Sequence, residues 1–200
     1  LFYFLYWSPW IADAPHNVTA AQERVTWAFA QRVVQYVFLG YLAINFGVAP
    51  AFILYTFGPG ILPPTHTGWM LRGTIGPDPV QYWLGWSYFR TDIWRWPPGL
   101  NPNYGLEVAS SIFFADSIPL LAFAFKALSG LVEVPQYWGL WLYACGALQA
   151  WFGWRLAGLA TEDRLARIAA GSLFALSPTM LNRLGGHFAV GAHFLLLAGL

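Results

Sequence analysis

The chemistry open to this chain rests on two carboxylates and a set of scattered cations. Asp78 stands in Gly76-Pro77-Asp78-Pro79, where the flanking prolines restrict the backbone and give the carboxylate a rigid mount. An Asp in such a setting also initiates ordinary turns, and the pattern leaves the two readings about equally open. Asp116 lies among Ile112, Phe113, Phe114, Ile118 and Leu120. A carboxylate in apolar surroundings is costly unless it faces polar protein or water, so Asp116 is either a working group or an ion-pair partner of Lys126. Together the two acids have the makings of a general base and of a ligand for a divalent metal ion or an acceptor group.

The cationic candidates are Arg72, Arg90, Arg95, Lys126 and Arg183, with His187 beside the last. Gathered in space, guanidinium forks pair bidentately with a phosphate or pyrophosphate. Arg90 and Arg95 also sit among Phe89, Trp94 and Trp96, and an anchor at lipid head groups is an equally good reading for them. His187 and His193 are six residues apart and share no helix face, which argues against a metal pair. Cys145 stands alone in an apolar run, so there is neither a disulfide framework nor a zinc site, and with Gln149 it reads as a helix-packing residue.

Composition decides what kind of elements must position these groups. The 200 residues are 58% hydrophobic and only 10% charged, against about 25% charged in soluble domains. Mean hydropathy is +0.48, and 19% of the residues are aromatic, 12 of them Trp. This balance points away from a soluble enzyme and toward helices in a bilayer with rings at its two interfaces. With a net charge of +1 and no basic cluster, nucleic acid is not a partner.

The expected architecture is therefore all-α, a polytopic transmembrane bundle. Spans are predicted at about 33–57, 135–157, 168–181 and from 188 to 200 onward. Val33 to Phe57 is an uncharged run of 25 residues, and Pro135 to Trp154 is one of 20 that Arg155 closes. Ile168 to Leu181 contains Ser177 and Pro178 and reads as a short or broken helix ending near Asn182 and Arg183. Phe188 to Leu200, at 13 residues, is too short to cross, so the chain reads as the N-terminal part of a longer protein. Leu1 to Trp7 is read as an interfacial segment or a consequence of where the chain was cut, with no cleavable signal peptide.

Residues 58–134 are expected to form one large non-cytoplasmic loop. Eight of the 14 prolines fall between Gly58 and Glu107, a density that forbids a long helix. One short surface helix is predicted from Pro79 to Phe89, with Tyr82, Trp83, Trp86 and Phe89 as an interfacial stripe. Val108 to Phe125 is expected to be a surface or re-entrant helix rather than a span, because Asp116 lies at its middle. Arg24, Arg32, Arg155, Arg164 and Arg167 then fall on the cytoplasmic side.

One charged loop between the first two spans, led by an acid and closed by an apolar surface helix, resembles the GT-C superfamily of polytopic glycosyltransferases. Gly76 to Leu200 resembles more closely an uncharacterised bacterial family of membrane proteins, domain of unknown function 6311. The residues carrying this likeness include Leu84-Gly85-Trp86 with Phe89-Arg90, Trp96-Pro97-Pro98-Gly99 and Asn101-Pro102-Asn103-Tyr104-Gly105. Further on they are Asp116-Ser117-Ile118-Pro119-Leu120, Phe125-Lys126, Gln136-Tyr137-Trp138-Gly139-Leu140-Trp141 and Gly186-His187. The loop's leading acid in this likeness is Asp78, although here a proline separates it from Gly76.

The resemblance implies a membrane glycosyltransferase of the bacterial inner membrane. It would move a sugar from a polyprenyl-phosphate donor to a hydroxyl acceptor on a glycan, lipid or protein. Asp78 would take the acceptor proton, with Asp116 as the second catalytic acid, and the cations would hold the departing phosphate. Membrane lipid is the other expected partner. A transporter or flippase of a lipid-linked or polar substrate, with Asp116 and the break at Pro178 as its midplane site, is the alternative.

Overall fold

The computed structural model describes residues 20–73 and 75–200. It divides into two compact units, Leu1–Leu42 and Ala43–Leu200. In the first, the described residues are helical, and they belong to α1 (Ala20–Phe57), which runs on into the second. The Leu1 to Trp7 segment and the Arg24 side chain lie outside the described residues. Everything below concerns the second unit.

α1 ends where Gly58 takes φ +82, and a 3-10 turn at Pro59–Ile61 follows. The proline-rich stretch then builds only short pieces: α2 (Gly68–Leu71), α3 (Asp78–Thr91), and strands β1 (Leu100–Asn101) and β2 (Ser110–Ser111). The strands pair antiparallel, Leu100 with Ser111 and Asn101 with Ser110. α4 (Pro119–Ala127), α5 (Trp138–Ala157), α6 (Arg164–Ala175), α7 (Pro178–Leu184) and α8 (Phe194–Ala198) complete the unit. Asp163 caps α6 through Leu165 N, and Ser177 caps α7 through Met180 N, with Pro178 at the first helical position, where a missing N–H does no harm.

The expected polytopic bundle is overturned: among the described residues no helix is long and apolar enough to cross a membrane. Integral placement in a bacterial inner membrane is not supported either. The physical reasons differ by segment. The predicted span at 168–181 is split into α6 and α7, and α6 has 12 residues, about 18 Å against roughly 30 Å of hydrocarbon. The segment from 188 onward is a 3-10 turn and the five-residue α8. The 135–157 segment forms the 20-residue α5, but Trp, Tyr, Gly, Gln149 and Arg155 dilute its apolar character. The 33–57 segment is part of α1, and the side chains of 37–46 within it lie outside the described residues.

α5 is instead the centre of a protein core. Trp138, Leu142 and Cys145 are fully buried in it. A Cβ on Gly146 would stand 2.6 Å from Ile53 of α1, and one on Gly153 would stand 2.7 Å from Phe174 of α6. At its N-terminus, buried Gln136 donates to Ile61 O (2.9 Å) and Pro63 O (2.8 Å) and accepts from Gly139 N, clipping the first proline turn to α5. Gly139 is obligatory there, because a Cβ would lie 1.8 Å from Ile61 O, a backbone atom that cannot step aside. Gly139→Ala is expected to lower stability by at least about 1–3 kcal/mol, the range for overpacked cores, as read by denaturant unfolding. An unchanged midpoint would mean that this junction is loose.

The stripe expected on the Pro79–Phe89 helix also turns inward. Tyr82, Trp86 and Phe89 are 5%, 1% and 1% exposed, so the face read as an interfacial anchor is the face that α3 buries. Spacing of i, i+4, i+7 defines a face without saying what covers it. The single helix expected over 108–125 is broken as well. A 3-10 turn at Ile112–Phe114 precedes a bend in which Asp116 (φ +43) and Ile118 (φ +48) are left-handed, and α4 starts only at Pro119. Proline disfavours the α conformation for the residue before it, and a β-branched residue at positive φ is a strained one.

Candidate functional site

Asp78 is the first residue of α3, and Tyr82 lies one turn further along the same face. Asp116 reaches this face from the strained bend, for which two features make room. A Cβ on Gly85 of α3 would stand 2.6 Å from the Ala115 Cβ, so only glycine lets the bend approach so closely. Buried Tyr137, at the start of α5, donates its hydroxyl in a short hydrogen bond to Ser117 O and pins the bend from the other side. Asn101 Nδ2 donates to Gly85 O at 2.9 Å, tying β1 to the same turn of α3.

The third segment is the turn after α7. Tyr82 is buried and donates to Gly186 O at 2.7 Å, and its ring meets Phe188 edge-on at 5.8 Å. A Cβ on Gly186 would lie 3.9 Å from Asp78 Oδ2, and His187 acts electrostatically on Asp116. Asp78, Tyr82, Asp116 and His187 thus come from three parts of the chain to one place. Sequence reasoning had named three of the four. Tyr82 was assigned to an interfacial stripe, although its i, i+4 spacing from Asp78 was the signal that could have found it.

Burial pushes the Asp116 carboxyl above the usual carboxylate range, and the neighbouring Asp78 adds to this. The Tyr82 hydroxyl, the Ala189 amide and His187 oppose it. Its Oδ2 is buried without a hydrogen-bond partner among the described residues. Burial, then Asp116 and Asp78, drive the Tyr82 phenol well above its ordinary value, so it stays a neutral hydroxyl. A folded-state value above the unfolded one means that Asp116 withdraws stability as pH rises from the ordinary carboxylate range through that raised value. The single Tyr82 hydroxyl proton goes either to Gly186 O or to the ionised Asp116, and Tyr82→Phe removes the second contact, which favours the charged form. Asp116 in that variant is expected to titrate at higher pH than in the wild type, read from the infrared carboxyl band of isotope-labelled Asp. A downward move or no move would mean that the hydroxyl does not act on Asp116.

The expected cations do not all join this site. Arg90 is 12 residues from Asp78 along α3, about 18 Å at the helical rise, and it pairs with Glu133 at 3.5 Å. Lys126, the suggested partner of Asp116, points elsewhere: its Nζ donates to Phe89 O (2.7 Å) and Ile93 O (3.3 Å) and sits over the Phe89 ring at 4.0 Å. Arg95 is exposed and holds Asp92 through two hydrogen bonds of 2.7 and 3.0 Å, which keep the Asp92 carboxyl below its ordinary range. Arg72 is exposed beyond α2, and Arg183 is half-buried in the last turn of α7, where its carbonyl accepts from His187 N at 3.1 Å. Among the described residues no three His, Cys, Asp or Glu side chains are placed to hold a metal ion.

The site can therefore hold and move a proton between two carboxyls of unlike surroundings, beside a neutral hydroxyl and an imidazole. No curated protein and no solved structure matches the chain. Residues 46–200, which contain every member of this site, match the model of a family described as a domain of unknown function (DUF6311), and the chain belongs to that family.

Proposed function

We propose that the chain is a glycosyltransferase that moves a sugar from a polyprenyl-phosphate donor to a hydroxyl acceptor, as its resemblance to the GT-C superfamily implies. The observation that supports this reading is the meeting of Asp78 and Asp116, remote in sequence, beside Tyr82 and the Gly186–His187 turn. In the proposed step the acceptor oxygen bonds to the anomeric carbon while the bond from that carbon to the phosphate oxygen breaks. The phosphate leaves with the electron pair, and the acceptor proton passes to Asp78.

Asp78 is suited to this role by its place at the positive end of the α3 dipole. Burial favours the neutral form of Asp116, and in that form it can donate a hydrogen bond to the sugar or the acceptor. Arg183, in the last turn of α7, is the cation assigned to the leaving phosphate, with His187 on the turn that meets the acids as a hydrogen-bond partner and Arg72 as a further candidate. The test is incubation of the purified chain with a polyprenyl-phosphate sugar labelled in both sugar and phosphate. Appearance of labelled polyprenyl phosphate together with a glycosylated hydroxyl is expected. A donor that is bound or relocated with its sugar-phosphate bond intact would overturn the reading in favour of transport.

A further inference from the structure

The opposite end of α3 carries a second polar site that the acid pair does not use. Arg90, in the last turn, lines a cleft of about 260 Å³ with Trp86, Phe125, Ser129, Glu133 and Val134. Its side chain is only 20% exposed, and its Nε is buried with no hydrogen-bond partner among the described residues. The Nη1 contact to Glu133 Oε1 is 3.5 Å, well beyond the roughly 2.7–2.9 Å of a charge-assisted bond. Glu133 itself is 79% exposed, so it loses little by turning away into water. A covered guanidinium with an unmet Nε donor, screened by one loosely held carboxylate, is poised for an exchange of partners.

The other polar groups around the cleft are already committed. Trp86 Nε1 donates to Val134 O at 3.0 Å, Ser129 Oγ donates to Lys126 O at 2.7 Å, and Lys126 Nζ is engaged with Phe89 O and Ile93 O. Asp92 and Arg95 neutralise each other. Once Glu133 turns out, Arg90 and the buried Lys126 leave the region net positive. We propose that this cleft is an oxyanion-binding site in which a phosphate or carboxylate takes the Arg90 fork that Glu133 covers loosely in the free protein. A volume below the roughly 300–1,000 Å³ of drug-sized pockets selects a small ligand. Trp86, Phe125 and Val134 offer its body an apolar wall.

The site is independent of the transfer reaction, and its test needs no activity. Inorganic phosphate and benzoate are titrated calorimetrically into the wild-type chain, Arg90→Gln and Glu133→Gln. Arg90→Gln is expected to weaken the preferred anion at least about tenfold, the effect of losing one charge-assisted contact. Glu133→Gln should tighten it by roughly threefold or more, since it removes the competing carboxylate. Stronger binding of phosphate or of benzoate tells which oxyanion the cleft prefers. Unchanged affinities in both variants overturn the proposal, as does a Glu133→Gln that weakens binding, because Glu133 would then be holding Arg90 in place. If Arg90→Gln fails to fold, the sign of the Glu133→Gln effect decides alone.

Discussion

Asp78→Asn is expected to lower sugar transfer by about 10²- to 10⁴-fold, the range for loss of a general base, with the fold intact. Asparagine keeps the shape of the side chain and can still serve the first turn of α3. What it gives up there is the favourable interaction of a negative charge with the helix dipole, about 0.3–1 kcal/mol at a partly exposed position. Activity and stability thus separate by several kilocalories. Side-by-side measurement of transfer rate and unfolding midpoint checks this. An Asp78→Asn chain that transfers sugar at the wild-type rate would reduce Asp78 to a helix-starting residue. A rate loss explained wholly by unfolding would do the same.

Lys126→Ala is expected to act on stability, by about 2–4 kcal/mol, within the range for deleting a long buried side chain. Lys126 is 3% exposed. Its stem fills space under α3 and its ammonium caps the carbonyls of Phe89 and Ile93, between the rings of Phe89 (4.0 Å) and Trp94 (5.0 Å). Alanine leaves a cavity and orphans a buried carbonyl, while relief of the buried charge offsets part of the loss. Lys126→Met, which refills the volume without the hydrogen bonds, should recover about half. Burial pushes the lysine below its ordinary value, with the nearby Asp92 opposing. Because the unfolded chain then binds the proton more tightly, this residue's contribution to stability grows as pH rises through the folded-state value toward the ordinary lysine range. A Lys126→Ala chain of wild-type stability with impaired donor binding would return Lys126 to the substrate.

The structure also gives a different account of the apolar excess. Much of it stays on the surface, with Trp96, Leu106, Val108, Phe114, Leu120 and Leu131 each at least 80% exposed. Hydropathy summed along a segment records how much apolar area there is and not which of it is buried, so 168–181 had the composition of a span without the continuous length, and 135–157 had the length without the apolar character.

Local chemistry was legible from the residues alone. Eight prolines within Gly58 to Glu107 ruled out a long helix there, and none formed. Ser177-Pro178 marked a helix break that became the cap of α7. Asp78 and Asp116 stood out as carboxylates in settings that needed a reason. Which groups share a site was decided only by tertiary contacts. The approach of Ala115 to Gly85, the Tyr137 hydroxyl on Ser117 O and the Tyr82 hydroxyl on Gly186 O join residues 20 to 104 positions apart. Local propensity carries no information across such separations. Lys126, through its bonds to Phe89 O and Ile93 O, and Arg90 lie at the far end of α3, because a helix that starts with Asp78 and runs to Thr91 holds its two ends about 20 Å apart whatever their charges.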